Sequence, residues 1–321
     1  MSRYDHIQEV QKSRYDVIQE ITKFNPYHGP DGRFSSANGA ASFTYKPGQG
    51  KMYDNAIARE KARTAAAATV AGTPKKGLVA GLGEKHARAI EKLIHENAPK
   101  EVQDVWDKYG DKISVATATH NGTAHCDSRG YIHVNIAEDS ADKDIPYETT
   151  LHESGHNIDR AIARAIGTYE VGSRISMVYK DGAFEKSLIS ESNAYFKRKQ
   201  AEYSAARGRK MTIADTRKAV SWEMFRNGGY KVTGDVSDIL GGATKGKFVG
   251  SAGHSKNYWT GTKDYYGRSI GAHSVAVEAF AEMFSASTTN HKSLGQIKEI
   301  FPESYKLFVE MCAHGATIQT D

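Results

Sequence analysis

The run His152-Glu153-Ser154-Gly155-His156 constrains this chain more than any other stretch. On an α-helix, positions i and i+4 share a face, so both imidazoles reach one ion. Glu153, one residue on, then faces water bound to that ion rather than the ion itself. Leu151, Ile158, Ile162 and Ile166 recur near helical spacing. They predict a helix over 146–165, with Pro146 in its first turn and Asp144 as its cap. Gly155 costs such a helix about 1 kcal/mol relative to Ala. A close approach by a neighbouring strand or by a substrate would explain that cost. The motif thus predicts His152 and His156 as Zn²⁺ ligands and Glu153 as the base that takes a proton from the bound water.

A catalytic zinc takes three protein ligands and keeps one position open. Asn157-Ile158-Asp159 do not continue into the extended motif that supplies a third histidine, so the third ligand lies later in the chain. Glu278 is the first candidate. It begins Glu278-Ala279-Phe280-Ala281-Glu282-Met283-Phe284, within a predicted helix over 274–288. Val275, Val277, Phe280, Met283 and Phe284 ask for burial there, and carboxylates on a buried surface need partners. A metal would partner Glu278, and a ligating histidine would partner Glu282. Asp264, in the glycine-flanked loop Gly261–Gly267, is the second candidate. His254 and His273 remain as further ligand candidates or as hydrogen-bond donors to an oxyanion.

Around this core the chain divides by composition. Residues 1–75 form an arm. Ser2-Arg3-Tyr4-Asp5 recurs as Ser13-Arg14-Tyr15-Asp16, a spacing close to three helical turns, and turn formers crowd residues 25–51. Residues 76–321 read as the compact domain. Helices are expected over 82–97 and 100–109, and strands over 113–117 and 131–136. Residues 170–235 read as mostly helical, residues 240–272 as loops, and a last helix is expected over 302–313.

Cys126 and Cys312 stand far apart with no C-x-x-C pair, which argues against a cysteine zinc site. The N-terminus has no apolar signal-peptide core, and no apolar run is long enough to span a bilayer. A cytoplasmic protein without a membrane partner is therefore expected. The net charge of +5, taken over the whole chain, makes no case for nucleic acid.

Two resemblances extend this reading. The HExxH run together with Glu278–Phe284 resembles the gluzincin arrangement of the anthrax lethal factor catalytic core. That likeness implies a zincin-like metallopeptidase fold, Glu278 as third ligand, and a catalytic tyrosine upstream of its helix, for which Tyr266 is the similar residue. It also makes residues 167–270 a mostly helical insertion. Ser237-Asp238-Ile239, Gly253–Trp259, Glu278-Ala279-Phe280-Ala281 and Phe301–Tyr305 resemble the C-terminal part of bacteriophage minor-head (head-morphogenesis) proteins that carry an HExxH. Asn25–Phe34 is similar to a short sequence found in many phage-encoded chains. This implies a phage or prophage origin, phage head components as partners, and a place in the bacterial host cytoplasm or the virion.

The combined expectation is an α+β fold. It has a small mixed sheet, the HExxH helix packed beneath it, and the Glu278 helix alongside. The expected activity is hydrolysis of a protein or peptide substrate, with Tyr266, Tyr258, His254 or His273 steadying the oxyanion. The competing expectation is a head-associated assembly protein whose peptidase-like domain is structural.

Overall fold

The computed structural model describes residues 73–168, 172–250, 253–263 and 269–319. The expected arm, apart from residues 73–75, lies outside them. Three short helices open the described chain: α1 (Lys76–Leu82), α2 (Glu84–Asn97) and α3 (Lys100–Tyr109). In α2, Ala87, Ile90 and Ile94 are buried on one stripe, and in α3 Val102, Val105, Trp106 and Tyr109 are buried likewise. The Trp106 indole donates to Glu91 at 2.8 Å, which ties the two helices by a buried polar contact.

Lys75, assigned to the arm by composition, is buried and belongs to this layer. Its ammonium lies 3.3 Å from Asp107 and 3.8 Å from Glu91. Removing it would take a cation from the buried Glu91 carboxylate, so the folded unit includes at least this residue of the arm.

A three-stranded mixed sheet follows, in the order β1-β3-β2. Strand β1 (Ser114–Thr117) runs parallel to β3 (Tyr131–His133), with a bulge between Val115 and Thr117. Strand β2 (His125–Cys126) is antiparallel to β3 and forms the edge. The strand expected over 131–136 ends early, because helix α4 (Ile136–Ala141) begins where it was to continue.

Helix α5 (Glu148–Ala165) carries the motif and starts two residues later than expected. Neither Pro146 nor Asp144 caps it. Tyr147 adopts a left-handed φ of 63°, and the free amides of the first turn are met by Asp139 of α4. Thr149 N and Thr150 N donate to its two carboxylate oxygens at 3.1 and 2.8 Å. A side chain distant in sequence thus does the work of a local cap.

The remainder is helical: α6 (Ile175–Val178), α7 (Ala183–Arg207), α8 (Ile213–Ala243), α9 (Lys256–Thr260), then the short hairpin β4 (Thr262–Lys263) and β5 (Ser269–Ile270). Helices α10 (Val275–Ala286), α11 (His291–Ile300) and α12 (Pro302–Thr317) complete the described chain. The architecture is α+β, mostly helical with one small mixed sheet. Helix α8 is broken at Gly229, whose φ of 68° is unsuited to other residues. Its second half buries Val236, Ile239 and Leu240 against α10. Among the described residues no helix is long and apolar enough to cross a membrane.

Asp159, one turn beyond His156 on α5, holds α6 in place. Ser176 donates to it from its backbone N at 2.9 Å and its hydroxyl at 2.7 Å. Burial outweighs those bonds and nearby Arg174, and pushes the carboxyl up to about 7. The folded state therefore holds a proton that the unfolded state releases near pH 4, and stability falls as pH rises from about 4 to about 7. Asp159→Asn keeps the acceptor and loses the titration. Urea unfolding should show the variant gaining on wild type by roughly 1.4 kcal/mol per pH unit across that window. A constant difference from pH 4 to 8 would refute this.

Candidate metal centre

Helices α5 and α10 approach most closely at Gly155. A Cβ there would lie 2.8 Å from the Ala281 Cα and 3.2 Å from the Phe284 Cβ. The glycine therefore makes room for the helix that carries Glu278, in place of the strand or substrate expected from the sequence. Phe280, Met283 and Phe284 are fully buried around this contact and fix the face that α10 presents.

One turn before Ala281, Glu278 meets both histidines. Its Oε2 lies 3.6 Å from His152 Nε2 and 3.7 Å from His156 Nε2. One donor atom from each of the three residues lies within 4.8 Å of the others. Ligands about 2.1 Å from a tetrahedral zinc stand about 3.4 Å from one another, so the spacing suits such an ion. Glu278 Oε2 is also buried with no hydrogen-bond partner, although its Oε1 accepts from the Tyr258 hydroxyl at 2.7 Å. A buried carboxylate oxygen aimed at two imidazoles, with nothing donating to it, fits a cation. A second histidine–carboxylate group exists at Glu91, His95 and Asp107, but there the Lys75 ammonium already supplies the cation.

The surroundings set the protonation of these groups. Burial opposes ionisation of Glu278, but His156, His152 and the Tyr258 hydroxyl outweigh it and hold the carboxyl well below the usual range. Burial holds His156 down to about 3, a neutral imidazole suited to ligation. His152 lies 3.3 Å through Nδ1 from Glu282, which orients the ring and leaves Nε2 toward Glu278. Burial lowers the His152 pKa, but Glu282 and Glu278 more than reverse it. Burial raises the Glu153 carboxyl, with Glu278 adding to the rise and His152 and the Cys126 amide opposing it.

Behind the candidate ligands lies a set of buried polar groups that no sequence motif singles out. Asp235 and Glu148 stand close to Glu282, and burial raises all three carboxyls, Glu148 to about 8. Asn290 donates to Glu148 at 2.9 Å and to Asp235 at 3.5 Å. Asp235 and Asp238 had a readable signal, since they sit three apart among Val236, Ile239 and Leu240. That is the logic that selects Glu278 and Glu282.

The remaining candidates are sorted by position. His254 lies 3.0 Å from Asp238, a charge contact that lifts its pKa against the effect of burial. The rings of His254, Tyr258 and His273 form a stack, with centroids 3.7 and 3.8 Å apart. Tyr258 is the middle ring, and its hydroxyl is committed to Glu278. His273 is the exposed member, and its ring makes no hydrogen bond among the described residues. Asp264 and Tyr266 lie outside the described residues.

Gly155→Ala tests the geometry. The added methyl meets backbone, so α10 must shift, at a cost of about 1–3 kcal/mol partly offset by the gain in helix propensity. Glu278 moves with it, and metal affinity should fall more than tenfold, as read by competition with a chromogenic chelator. Unchanged affinity would mean that the contact does not position the ligand.

In comparisons with known proteins, no family profile matches the chain, and neither a curated protein nor a solved structure matches it.

Proposed function

We propose that this chain is a zinc-dependent metallopeptidase of zincin-like type, with His152, His156 and Glu278 as ligands and Glu153 as general base. The observation that carries the reading is the buried Glu278 Oε2, which has no hydrogen-bond partner and is set between two imidazoles, with Glu153 on the helix of the two histidines. Zinc held by two histidines and a glutamate would lower the pKa of a bound water to about 7 and polarise a carbonyl.

The chain's own groups supply the rest. Glu153, with its carboxyl raised by burial, accepts the proton of the water that attacks the scissile carbonyl and passes it to the leaving amine. Glu282 holds the His152 ring, and Tyr258 holds the Glu278 carboxylate. His273, the exposed ring of the stack, donates to the oxyanion that develops on the substrate. Strand β2 is a sheet edge beside Glu153, and an extended peptide pairs with such an edge through its main chain. A protein or peptide is accordingly the substrate, and the phage-like segments point to a phage structural protein or a host protein.

Purified protein should bind one zinc per chain, and Glu278→Ala should lose it. Tyr258→Phe should keep zinc but bind it roughly 10–100-fold more weakly. Glu153→Gln should retain full zinc and lose at least about 100-fold in hydrolysis of an unfolded protein such as casein. Elemental analysis and peptide release read these outcomes. Protein that carries no transition metal and takes up none from added zinc would defeat the assignment, as would Glu153→Gln cleaving at the wild-type rate.

A further inference from the structure

The net charge of +5 looks dilute over the whole sequence, but it is concentrated. Residues 197–226 hold nine Lys and Arg against three Asp and Glu, a net of +6, so the rest of the chain is close to neutral. These residues form the tip of an antiparallel helical hairpin, the end of α7 and the first half of α8, up to the break at Gly229. Among the described residues, Arg207, Arg209, Lys210, Lys218 and Arg226 pair with no carboxylate. All five are exposed.

An aromatic ring sits in the middle of this charge. Of the three tryptophans, Trp106 is fully buried and Trp259 is 5% exposed, whereas Trp222 is 65% exposed. Trp222 lines a cleft of about 510 Å³ with Tyr203, Arg207, Ala219, Glu223 and Arg226. Glu223, the one carboxylate there, is already engaged by the Tyr203 hydroxyl and by Lys199 at 3.6 Å. The cleft thus offers a large planar apolar face flanked by two guanidinium groups that pair with no carboxylate among the described residues, Arg207 donating only to the Met211 sulfur at 3.4 Å. An acidic protein segment would satisfy the cations but gives the indole no planar partner. A duplex would satisfy the cations and hides its base faces. A single strand satisfies both, with phosphates on Arg207 and Arg226 and an unstacked base on Trp222.

We propose that the α7–α8 tip is a binding site for single-stranded nucleic acid, separate from the metal centre and independent of peptidase activity. The test uses the full chain and an oligo(dT) of about 15 nucleotides. Binding should quench the long-wavelength emission of Trp222, the only exposed indole, and raise the anisotropy of a labelled oligonucleotide. Affinity should drop roughly 50-fold between 50 and 200 mM salt if about four phosphates are neutralised. Trp222→Ala should weaken binding about tenfold or more, while Trp222→Phe, which keeps a ring, should recover most of it. Arg207→Glu with Arg226→Glu should abolish it at moderate salt.

An oligo(U) of equal length binding as well would support the same site, because the recognising chemistry is shared. Circular dichroism and zinc uptake should match wild type in every variant. The proposal is overturned if oligo(dT) leaves Trp222 emission unchanged, if polyglutamate or duplex DNA binds as tightly, or if Trp222→Ala binds like wild type.

Discussion

The near-contact of two helix backbones at Gly155 and Ala281 is the constraint on which the rest of the site rests. Imidazole and carboxylate reach are short, so two histidines on one helix and a glutamate on another converge only if the axes run unusually close. Small residues at the crossing permit that, and the buried Phe280, Met283 and Phe284 drive it. The same closeness buries several ionisable groups that would be costly alone. Their tolerance comes from pairing: Glu278 with His152, His156 and Tyr258, and Glu282 with His152.

Local pattern carried much of the fold. The helix over 100–109 forms at its expected bounds, and the helices over 146–165 and 274–288 form within two residues of theirs, because each has a clear apolar stripe. What escaped the sequence depended on distant partners. The start of α5 is set by Asp139 rather than by the nearby Asp144, since the left-handed turn at Tyr147 redirects the chain. Strand β2 has only two residues and no alternation to read. Helix α11 is weakly apolar, and its local pattern does not mark it as a helix. At the site, residue types alone brought forward His152, His156, Glu278 and Glu282, which the fold places together. Glu148 and Asn290 gave no signal, because nothing in their own neighbourhoods asks for burial.

Helix α8 shows why composition misleads when averaged. The exposed face of its first half carries Lys218 and Arg226, which pair with no carboxylate among the described residues, and its second half supplies Asp235 and Asp238 to the wall behind the candidate ligands. With a break at Gly229 between two environments, no single stripe runs its length. The sequence therefore reads as helix with polar interruptions. Whole-chain charge hides the basic tip for the same reason, since neutral surroundings dilute it.

The separation of the candidate ligands along the chain has a consequence for synthesis. His152 and His156 leave the ribosome more than a hundred residues before Glu278, and Asn290 follows later still. Until α10 has emerged and docked, the motif helix has two imidazoles and no carboxylate from α10, and the part of its face that meets α10 has no cover. A nascent chain therefore lacks the full cluster until α10 has been made, and α10 both packs on α5 and brings a carboxylate to the two imidazoles. Assembly of this histidine–carboxylate cluster is thereby tied to the docking of α10 rather than to the folding of the motif helix.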